Sequence, residues 1–365
     1  MRATRSNRSL RLLDRYAGIP LMSLFAAMPK RRALPRELVR RIGVLKTAAI
    51  GDTLLLSGPL QDLRRAYPDA AIVMITGSDN RGAAQLLPGR PDEFFVVSPH
   101  RPLEAISAIR AAKLSVLLDF GSWPRFDALL ATLSGAAFRV GFRTPGQGRH
   151  FGYDLAVDHL GTEHELANYR RLIAAVGVTG ESMPHVSPPG VLASERLPPS
   201  PFVVFHPWSG GFNGAMKEWP NARWVELGCR LGDRHVLVSC GPADGSRSRK
   251  LAEELTLAGC SARVGEFTLP ELADVLAASE VVVSVNTGVM HLATLVGART
   301  VSLEGPTPAW RWGPIGPRVR HVESVLPGCG YLNLGFEYSG RRRDCMEGIS
   351  VDAVFAAIGE LVATD

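Results

Sequence analysis

Short apolar runs alternate with longer stretches of helical periodicity along most of this chain. In the first half, the runs 42–45, 70–76 and 115–120 predict buried strands, and the stretches 54–68 and 102–112 between them predict helices. Strands that alternate with helices in this way are typical of a doubly wound, parallel α/β sheet.

The second half repeats this alternation. Its predicted strands lie at 201–207, 235–242, 281–288 and 299–306, and its predicted helices at 222–231, 247–258 and 269–279. A Pro- and Ser-rich stretch without periodicity separates the halves and predicts a linker. We therefore expect two Rossmann-like domains that face each other across a cleft. The predicted boundaries are a basic arm at 1–41, a first domain at 42–181, a linker at 182–200, a second domain at 201–349 and a C-terminal helix at 350–365.

The positive charge of the chain is concentrated in its N-terminal arm. Residues 1–41 hold eleven Lys and Arg against Asp14 and Glu37, a surplus of nine, while the whole chain carries a net charge of +6. The basic balance therefore gives no support for a nucleic-acid partner. The apolar stretch from Gly18 to Met28 is short of the ~20 residues that span a bilayer. Two alternatives stay open, an interfacial helix on anionic lipid and a helix packed on the protein's own surface. For the first, the flanking cations are Arg11, Arg15, Lys30, Arg31 and Arg32.

The five cysteines form no CxxC pair. An odd count without such pairs suits a reducing compartment, so we expect a cytoplasmic protein, with peripheral contact to the inner face of the membrane if the arm binds lipid. Cys329 and Cys345 share a Gly- and Arg-rich tail, but two thiols do not make a zinc site.

Four turns carry the candidate chemistry, because each follows a predicted strand: 47–52, 119–123, 206–217 and 284–291. Ligands of open α/β sheets bind at this edge. The first turn delivers the carboxylate of Asp52, which is either a helix N-cap or a catalytic group. The other candidates on this side, which we assign to an acceptor, are Lys46, Thr47, Gly51, Asp119 and Trp123.

The two turns of the second half suit an anionic ligand. At 284–291, free backbone N–H groups and the helix dipole attract phosphate, unless the residues only cap the helix. At 206–217, Lys217 follows a glycine-rich loop and either neutralises a phosphate or is a solvated lysine. The donor-side candidates are His206, Ser209, Gly210, Lys217, Asn286, Thr287, Gly288 and His291.

Several common signatures are absent from the sequence. It has no GxxxxGK[ST] motif, its GQGRHFG segment lacks the spacing of a dinucleotide fingerprint, and HELAN lacks the second histidine of a zincin helix. No acidic pair ends a predicted strand, so a metal-held diphosphate is disfavoured. We expect no metal and no cofactor.

Taken together, four blocks resemble glycosyltransferase family 9, the ADP-heptose:lipopolysaccharide heptosyltransferase family. They are IGVLKTAAIGDTLLLSGPLQDLRRAYPDA, FHPWSGGFNGAMKEWPNARWVEL, VVVSVNTGVMHLATLVGARTVSLEGPT with RWGPIG, and CMEGIS. The resemblance implies a GT-B fold and inverting, metal-independent transfer from a nucleotide sugar, with ADP-heptose expected, to a saccharide or lipid-linked saccharide.

The same resemblance implies residue roles. Asp52 falls on the glycine–aspartate motif and would be the general base, and Lys217 falls on the lysine that contacts the donor phosphates. Thr287, Gly288 and His291 fall on the turn that holds the diphosphate and ribose. The family commonly has aspartate where this chain has Asn286, which loses the charge but still accepts a hydrogen bond.

Two other functions remain open at this point. A sugar-nucleotide epimerase has a similar two-domain organisation but needs further acids and bases around the sugar. A catalytically silent nucleotide-binding protein is the second alternative, which Asn286 mildly favours.

Overall fold

The computed structural model describes residues 8–31, 33–89 and 91–363. By its contacts the chain divides into two compact units, Met1–Pro184 and His185–Asp365. Arg32 of the predicted lipid-facing cations lies outside the described residues, as do the side chain of Arg11 and residues 1–7 of the arm.

The first unit is built on a parallel sheet with helices on both faces. Within the described residues its strands are β1 (Arg41–Lys46), β2 (Ala71–Thr76), β3 (Glu93–Val96), β4 (Val116–Asp119), β5 (Phe138–Arg143) and β6 (Leu155–Asp158). They pair in the order β3-β2-β1-β4-β5-β6. Each pairing is parallel, for example Val44 opposite Met74 on β2 and Leu118 on β4. This is the strand order of a Rossmann fold.

The helices of the first unit are α1 (Arg8–Tyr16), α2 (Gly18–Ser23), α3 (Ile50–Leu55), α4 (Ser57–Ala66), α5 (Arg81–Gln85), α6 (Pro102–Ala111), α7 (Arg125–Leu133) and α8 (Glu165–Ala174). Successive strand residues serve opposite faces of the sheet, so Val44 and Leu45 join two separate cores. Because both faces are covered, the central strands are continuously apolar.

The described part of the second unit repeats this plan. Its strands are β7 (Phe202–His206), β8 (His235–Cys240), β9 (Ala262–Glu266), β10 (Val281–Val285), β11 (Thr300–Glu304) and β12 (Val319–Glu323). The parallel order β12-β11-β10-β7-β8-β9 is the same topology as in the first unit.

The helices of the second unit are α9 (Asn221–Arg230), α10 (Gly245–Leu257), α11 (Leu269–Ala278), α12 (Gly288–Leu295), α13 (Ala309–Trp312) and α14 (Val351–Val362). The C-terminal helix α14 packs its apolar side, including Val354 and Ile358, into the core of this unit. A disulfide joins Cys329 and Cys345. This bond is at odds with the expected reducing compartment, where disulfides rarely persist.

The N-terminal arm packs on the first unit. Met22 is fully buried, and Asp14 lies at the start of α7. Its Oδ1 accepts hydrogen bonds from the backbone N–H groups of Arg125 (2.7 Å) and Phe126 (3.2 Å). Its Oδ2 accepts one from the Arg125 side chain at 2.8 Å. Asp14 therefore caps the N-terminus of α7, and its negative charge is attracted by the positive end of the helix dipole.

Several apolar side chains of the arm are exposed. Leu13, Tyr16 and Leu24 are 62%, 71% and 75% exposed. Among the described residues, no helix is both long enough and apolar enough to cross a membrane. The short helices of the arm thus pack on the first unit and also present apolar side chains to the solvent side.

Candidate active site

All four predicted turns lie beside the switch points of the two sheets. The strand order reverses between β1 and β4 in the first unit and between β7 and β10 in the second. The turns begin at or next to the carboxyl ends of these four strands. Connections leave the two central strands in opposite directions there, which opens the crevice where open α/β sheets bind ligands.

Asp52 lies in the first turn of α3, directly after β1. The N-cap of this helix is Ala49, so the interpretation of Asp52 as an N-cap is wrong. Its Oδ2 is 2.9 Å from Nζ of Lys46, and its side chain keeps 13% of its surface exposed. An opposite charge at this distance favours the ionised carboxylate, which is the form that accepts a proton.

Lys46, the last residue of β1, is held beneath Asp52. It is 1% exposed, and its Nζ donates to the carbonyl of Phe120 at 3.1 Å. The same Nζ lies 5.4 Å from the centre of the Tyr169 ring. A buried ammonium needs such partners, and together they fix the position of the charge that holds Asp52.

Asp119, the last residue of β4, is fully buried in an ion pair. Its Oδ2 accepts from Arg149 at 2.5 Å and from the hydroxyl of Tyr153 at 2.6 Å. Its Oδ1 accepts from the backbone N–H of Gly121 at 2.8 Å. A Cβ on Gly121 would lie 2.9 Å from Oδ2 of Asp127, so this close approach requires glycine. A direct contact of Asp119 with an acceptor stays a prediction.

A second carboxyl, Asp127, links this cluster to the first turn. Its Oδ1 accepts from the hydroxyl of Thr47 at 2.6 Å. Burial, together with the neighbouring charge of Asp119, raises the pKa of Asp127 to about 7. Gly51 is buried in α3, while Trp123 is partly exposed and, with Thr47, lines a cavity at this sheet edge.

In the second unit, His206 ends β7. Its Nδ1 lies 2.9 Å from the hydroxyl of Ser239 on β8. Burial lowers the pKa of His206 to about 4, so the imidazole is neutral at physiological pH. Neutral imidazole can donate or accept one hydrogen bond at Nε2 without adding charge to a phosphate site.

The loop after β7 carries the remaining candidates of that turn. Gly210 is exposed and Ser209 is half-buried, its backbone N–H donating to Glu218 at 3.2 Å. Lys217 ends a short 3₁₀ helix, Gly214–Lys217, and is half-buried. Two residues later the buried indole of Trp219 donates to the carbonyl of Ile349 at 3.0 Å, which anchors the loop to the core.

Asn286 follows β10 and is bonded to a carboxyl that the sequence did not single out. Its Nδ2 donates to Oε2 of Glu304 at 2.8 Å. Burial raises the pKa of Glu304 to about 8, and the nearby Lys217 ammonium opposes the rise. Glu304 therefore brings Asn286 and Lys217 to one place, at the carboxyl ends of β10 and β11.

Thr287 and Gly288 start the helix that follows. Thr287, rather than Asn286, is the N-cap of α12, and its hydroxyl accepts from the backbone N–H of Val289 at 3.2 Å. His291 lies one turn further into this helix and is 6% exposed. The first turn of α12 therefore points its backbone N–H groups and positive dipole end toward the switch point, where an anion is stabilised.

Sequence reasoning missed Arg149, Asp127 and Glu304. Glu304 left a signal, since it is a single carboxyl at the end of an apolar strand. Arg149 lies in GQGRHFG, a segment whose glycine spacing does not match a dinucleotide fingerprint and gives no sign of an ion pair. Nothing in the sequence pairs it with Asp119, thirty residues earlier.

The fold and the site define a two-unit α/β protein with a ligand site at the switch point of each sheet. Residues 126–329 match the family model of glycosyltransferase family 9 (heptosyltransferase). Because this match spans more than half of the chain, the chain belongs to glycosyltransferase family 9.

A curated relative is lipopolysaccharide heptosyltransferase 1 of Pseudomonas aeruginosa, which is 34% identical over 133 residues. These residues are 36% of this chain and 36% of that protein, so the match spans about a third of the relative's length.

Two solved structures are similar in fold. E. coli ADP-heptose LPS heptosyltransferase II aligns with a TM-score of 0.70 at 18% identity, covering 88% of this chain and 98% of that one. E. coli heptosyltransferase WaaC with ADP-2-deoxy-2-fluoro heptose aligns with a TM-score of 0.64 at 21% identity, covering 88% and 99%. The predicted fold class, GT-B with two Rossmann-like parallel-sheet units, is confirmed.

The buried carboxyl of Glu304 should make the stability of the protein depend on pH. Its pKa is 4.5 in the unfolded chain and about 8 in the folded one, so the folded state binds the extra proton between these values. Stability from this group is therefore complete below pH 4.5 and is lost as pH rises to about 8, by about 1.4 kcal/mol per pH unit. Glu304→Gln cannot lose this proton, so its stability relative to the wild type should increase over that interval.

Urea unfolding of the wild type and of Glu304→Gln between these two pH values measures the difference in their free energies of unfolding. Titrations of other groups, common to both proteins, cancel in this difference. Glu253→Gln, an exposed glutamate of the same unit, is the control and should track the wild type. Parallel stability curves for wild type and Glu304→Gln would show that Glu304 is ionised in the folded protein.

Proposed function

We propose that this protein is an inverting, metal-independent glycosyltransferase. It moves a heptose from ADP-heptose to a saccharide hydroxyl in the assembly of lipopolysaccharide or another cell-surface glycan. Membership of family 9 supports glycosyl transfer. The observation that carries the proposal is the ion pair of Asp52 and Lys46, which holds a partly exposed carboxylate at the carboxyl edge of the first sheet.

In the proposed reaction Asp52 is the general base. It removes the proton from the acceptor hydroxyl while that oxygen forms a bond to the anomeric carbon of the donor. The bond from this carbon to the diphosphate breaks at the same time, so the configuration inverts. A base must be ionised and within reach of its proton, and Lys46 secures both for Asp52.

Lys217 and the start of α12 stabilise the departing diphosphate. Charge develops on the leaving oxygen, and donors already in place at that position lower the barrier without reorganisation. Lys217 supplies a full positive charge, and the backbone N–H groups after Thr287 supply partial ones. In this way the leaving group needs no metal ion.

The donor is proposed from the relatives. One structure of similar fold is named an ADP-heptose LPS heptosyltransferase, and another is described with ADP-2-deoxy-2-fluoro heptose. Asn286 stands where the family commonly has aspartate, and its amide N–H₂ is already bonded to Glu304. Its carbonyl oxygen would then be the group that accepts a hydrogen bond from the donor, as a carboxylate oxygen could.

We also propose that the arm contacts the inner face of the cytoplasmic membrane. Tyr16 and Leu24 are exposed apolar side chains, and Arg15 is an exposed cation of the same segment. Lys30 and Arg31 are also exposed, but their side chains donate to the backbone carbonyls of Phe151 and Ala137. An apolar side flanked by cations suits an anionic lipid surface. A lipid-linked acceptor would then be concentrated where the enzyme lies.

Asp52→Asn should lower turnover by roughly two to four orders of magnitude, because the amide cannot take the proton. The affinity for ADP should barely change. Incubation with ADP-heptose and core oligosaccharides, with EDTA present, measures ADP release and the anomeric configuration of the product. Asp69→Asn, an exposed aspartate, is the control. Near-wild-type turnover of Asp52→Asn would exclude it as the base, and ADP release without an acceptor would favour a hydrolase or epimerase.

Lys217→Ala should weaken ADP binding and also slow transfer, since the ammonium interacts with the diphosphate before and during bond cleavage. We expect a loss of roughly tenfold or more in each, which titration calorimetry and the transfer assay measure. Lys250→Ala removes an exposed lysine of the same unit and should change neither. Unchanged ADP affinity in Lys217→Ala would place this lysine outside the donor site.

Leu24→Ser and Tyr16→Ser should each reduce co-sedimentation with phosphatidylglycerol vesicles by several-fold, because each removes an apolar contact with lipid. Leu257 is 89% exposed in the second unit, so Leu257→Ser is a matched control that should bind like the wild type. Failure of the wild type to bind these vesicles would exclude the lipid contact.

A further inference from the structure

A cavity of about 350 Å³ lies at the carboxyl edge of the first sheet. We call it the arm pocket. Its walls include Leu13, Leu21 and Met22 from the N-terminal arm, and Thr47, Val97 and Trp123 from turns after β1, β3 and β4. Its volume is within the range of small-molecule sites, about 300–1,000 Å³.

Four of the polar side chains in the walls of the arm pocket are bonded to one another in two pairs, and the others are the small hydroxyls of Ser78 and Ser98 and the indole N–H of Trp123. Asp14 is bonded to Arg125, and Thr47 is bonded to Asp127. What the pocket presents to a ligand is therefore mainly apolar, with Trp123, Phe126 and Leu129 facing the arm residues. A saccharide, which needs a hydrogen-bond partner for each buried hydroxyl, does not fit such walls.

Two walls of the pocket are incompletely covered. Leu13 and Leu21 line the pocket and yet are 62% and 39% exposed. An apolar chain that entered the pocket would cover both leucines and gain the free energy of removing them from water.

We propose that the arm pocket binds the acyl or alkyl chain of a lipid-linked acceptor. This proposal rests on the proposed function and names the class of its acceptor. Thr47 and Ala48 line the pocket and belong to the same turn as Asp52. A chain seated in the pocket therefore brings the attached sugar to the edge where Asp52 lies. The arm is then a wall of the acceptor site, held in place by the cap that Asp14 provides for α7.

The experiment measures binding of hexyl, octyl and decyl maltoside to the full-length protein by titration calorimetry, below their micellar concentrations. Each buried methylene should raise the affinity about fourfold until the pocket is full. Ala17→Phe and Ser98→Phe fill the pocket from two sides, and each should lower the affinity for decyl maltoside at least tenfold. Ala26→Phe makes the same change at an exposed arm residue outside the pocket and should bind like the wild type.

The transfer assay supplies the second measurement. With acylated and deacylated forms of one acceptor, the filled variants should raise KM for the acylated form and leave KM for the deacylated form unchanged. Affinity that does not depend on chain length, or that both filled variants retain, overturns the pocket proposal. An equal rise of KM for both acceptor forms would assign the pocket to the sugar and would overturn it as well.

These results separate the two proposals. Acceptor-dependent transfer from ADP-heptose, with no chain-length effect on binding, overturns the pocket and leaves glycosyl transfer intact. Chain-length-dependent binding without any transfer overturns the proposed function, and with it the assignment of the pocket to an acceptor.

Discussion

The site depends on the reversal of strand order at the centre of each sheet. Connections from β1 and β4 depart in opposite directions, as do those from β7 and β10, so the connecting helices leave a crevice at the carboxyl ends of these strands. The turns there are free to carry polar groups that the sheet interior would exclude. Because the same topology occurs in both units, each presents one such edge, and the chain can give each edge a different set of side chains.

The carboxyls at these edges differ in how their surroundings treat the negative charge. Asp52 lies beside the Lys46 ammonium, an arrangement that favours charge. Asp127 and Glu304 lie deeper, and burial raises the pKa of the first to about 7 and of the second to about 8. A carboxyl that keeps its proton serves as a hydrogen-bonding group and adds no negative charge to its surroundings. At the second edge, Glu304 interacts electrostatically with the Lys217 ammonium and with the carboxyl of Glu323, so charges of both signs lie there.

Sequence patterns predicted seven of the eight central strands and missed the four edge strands of the described sheets. They also missed the central strand β5, whose sequence FRVGFR carries two arginines. The runs that form β1, β2, β4, β7, β8, β10 and β11 are continuously apolar because both faces of a central parallel strand are covered. The strands β3, β6, β9 and β12 each have one neighbour and mixed exposure, so their sequences, such as EFFV and VRHVE, carry charges and lack a clear period. The candidate site residues followed from these predicted strands, because they lie in the turns directly after them. The partners Arg149 and Glu304 did not, because only folding brings them to Asp119 and Asn286.

The cap that Asp14 places on α7 limits how this chain can be shortened. The basic segment before residue 42 looks dispensable by sequence, since it precedes the first strand and lies outside the repeated α/β pattern. Removing it would strip α7 of an acidic cap, expose a surface that the fully buried Met22 now covers, and open the carboxyl edge of the sheet to water. Truncated forms that begin at β1 are therefore expected to be less soluble and less stable than the intact chain, and a loss of activity in them would report damage to the first unit as much as loss of a membrane anchor.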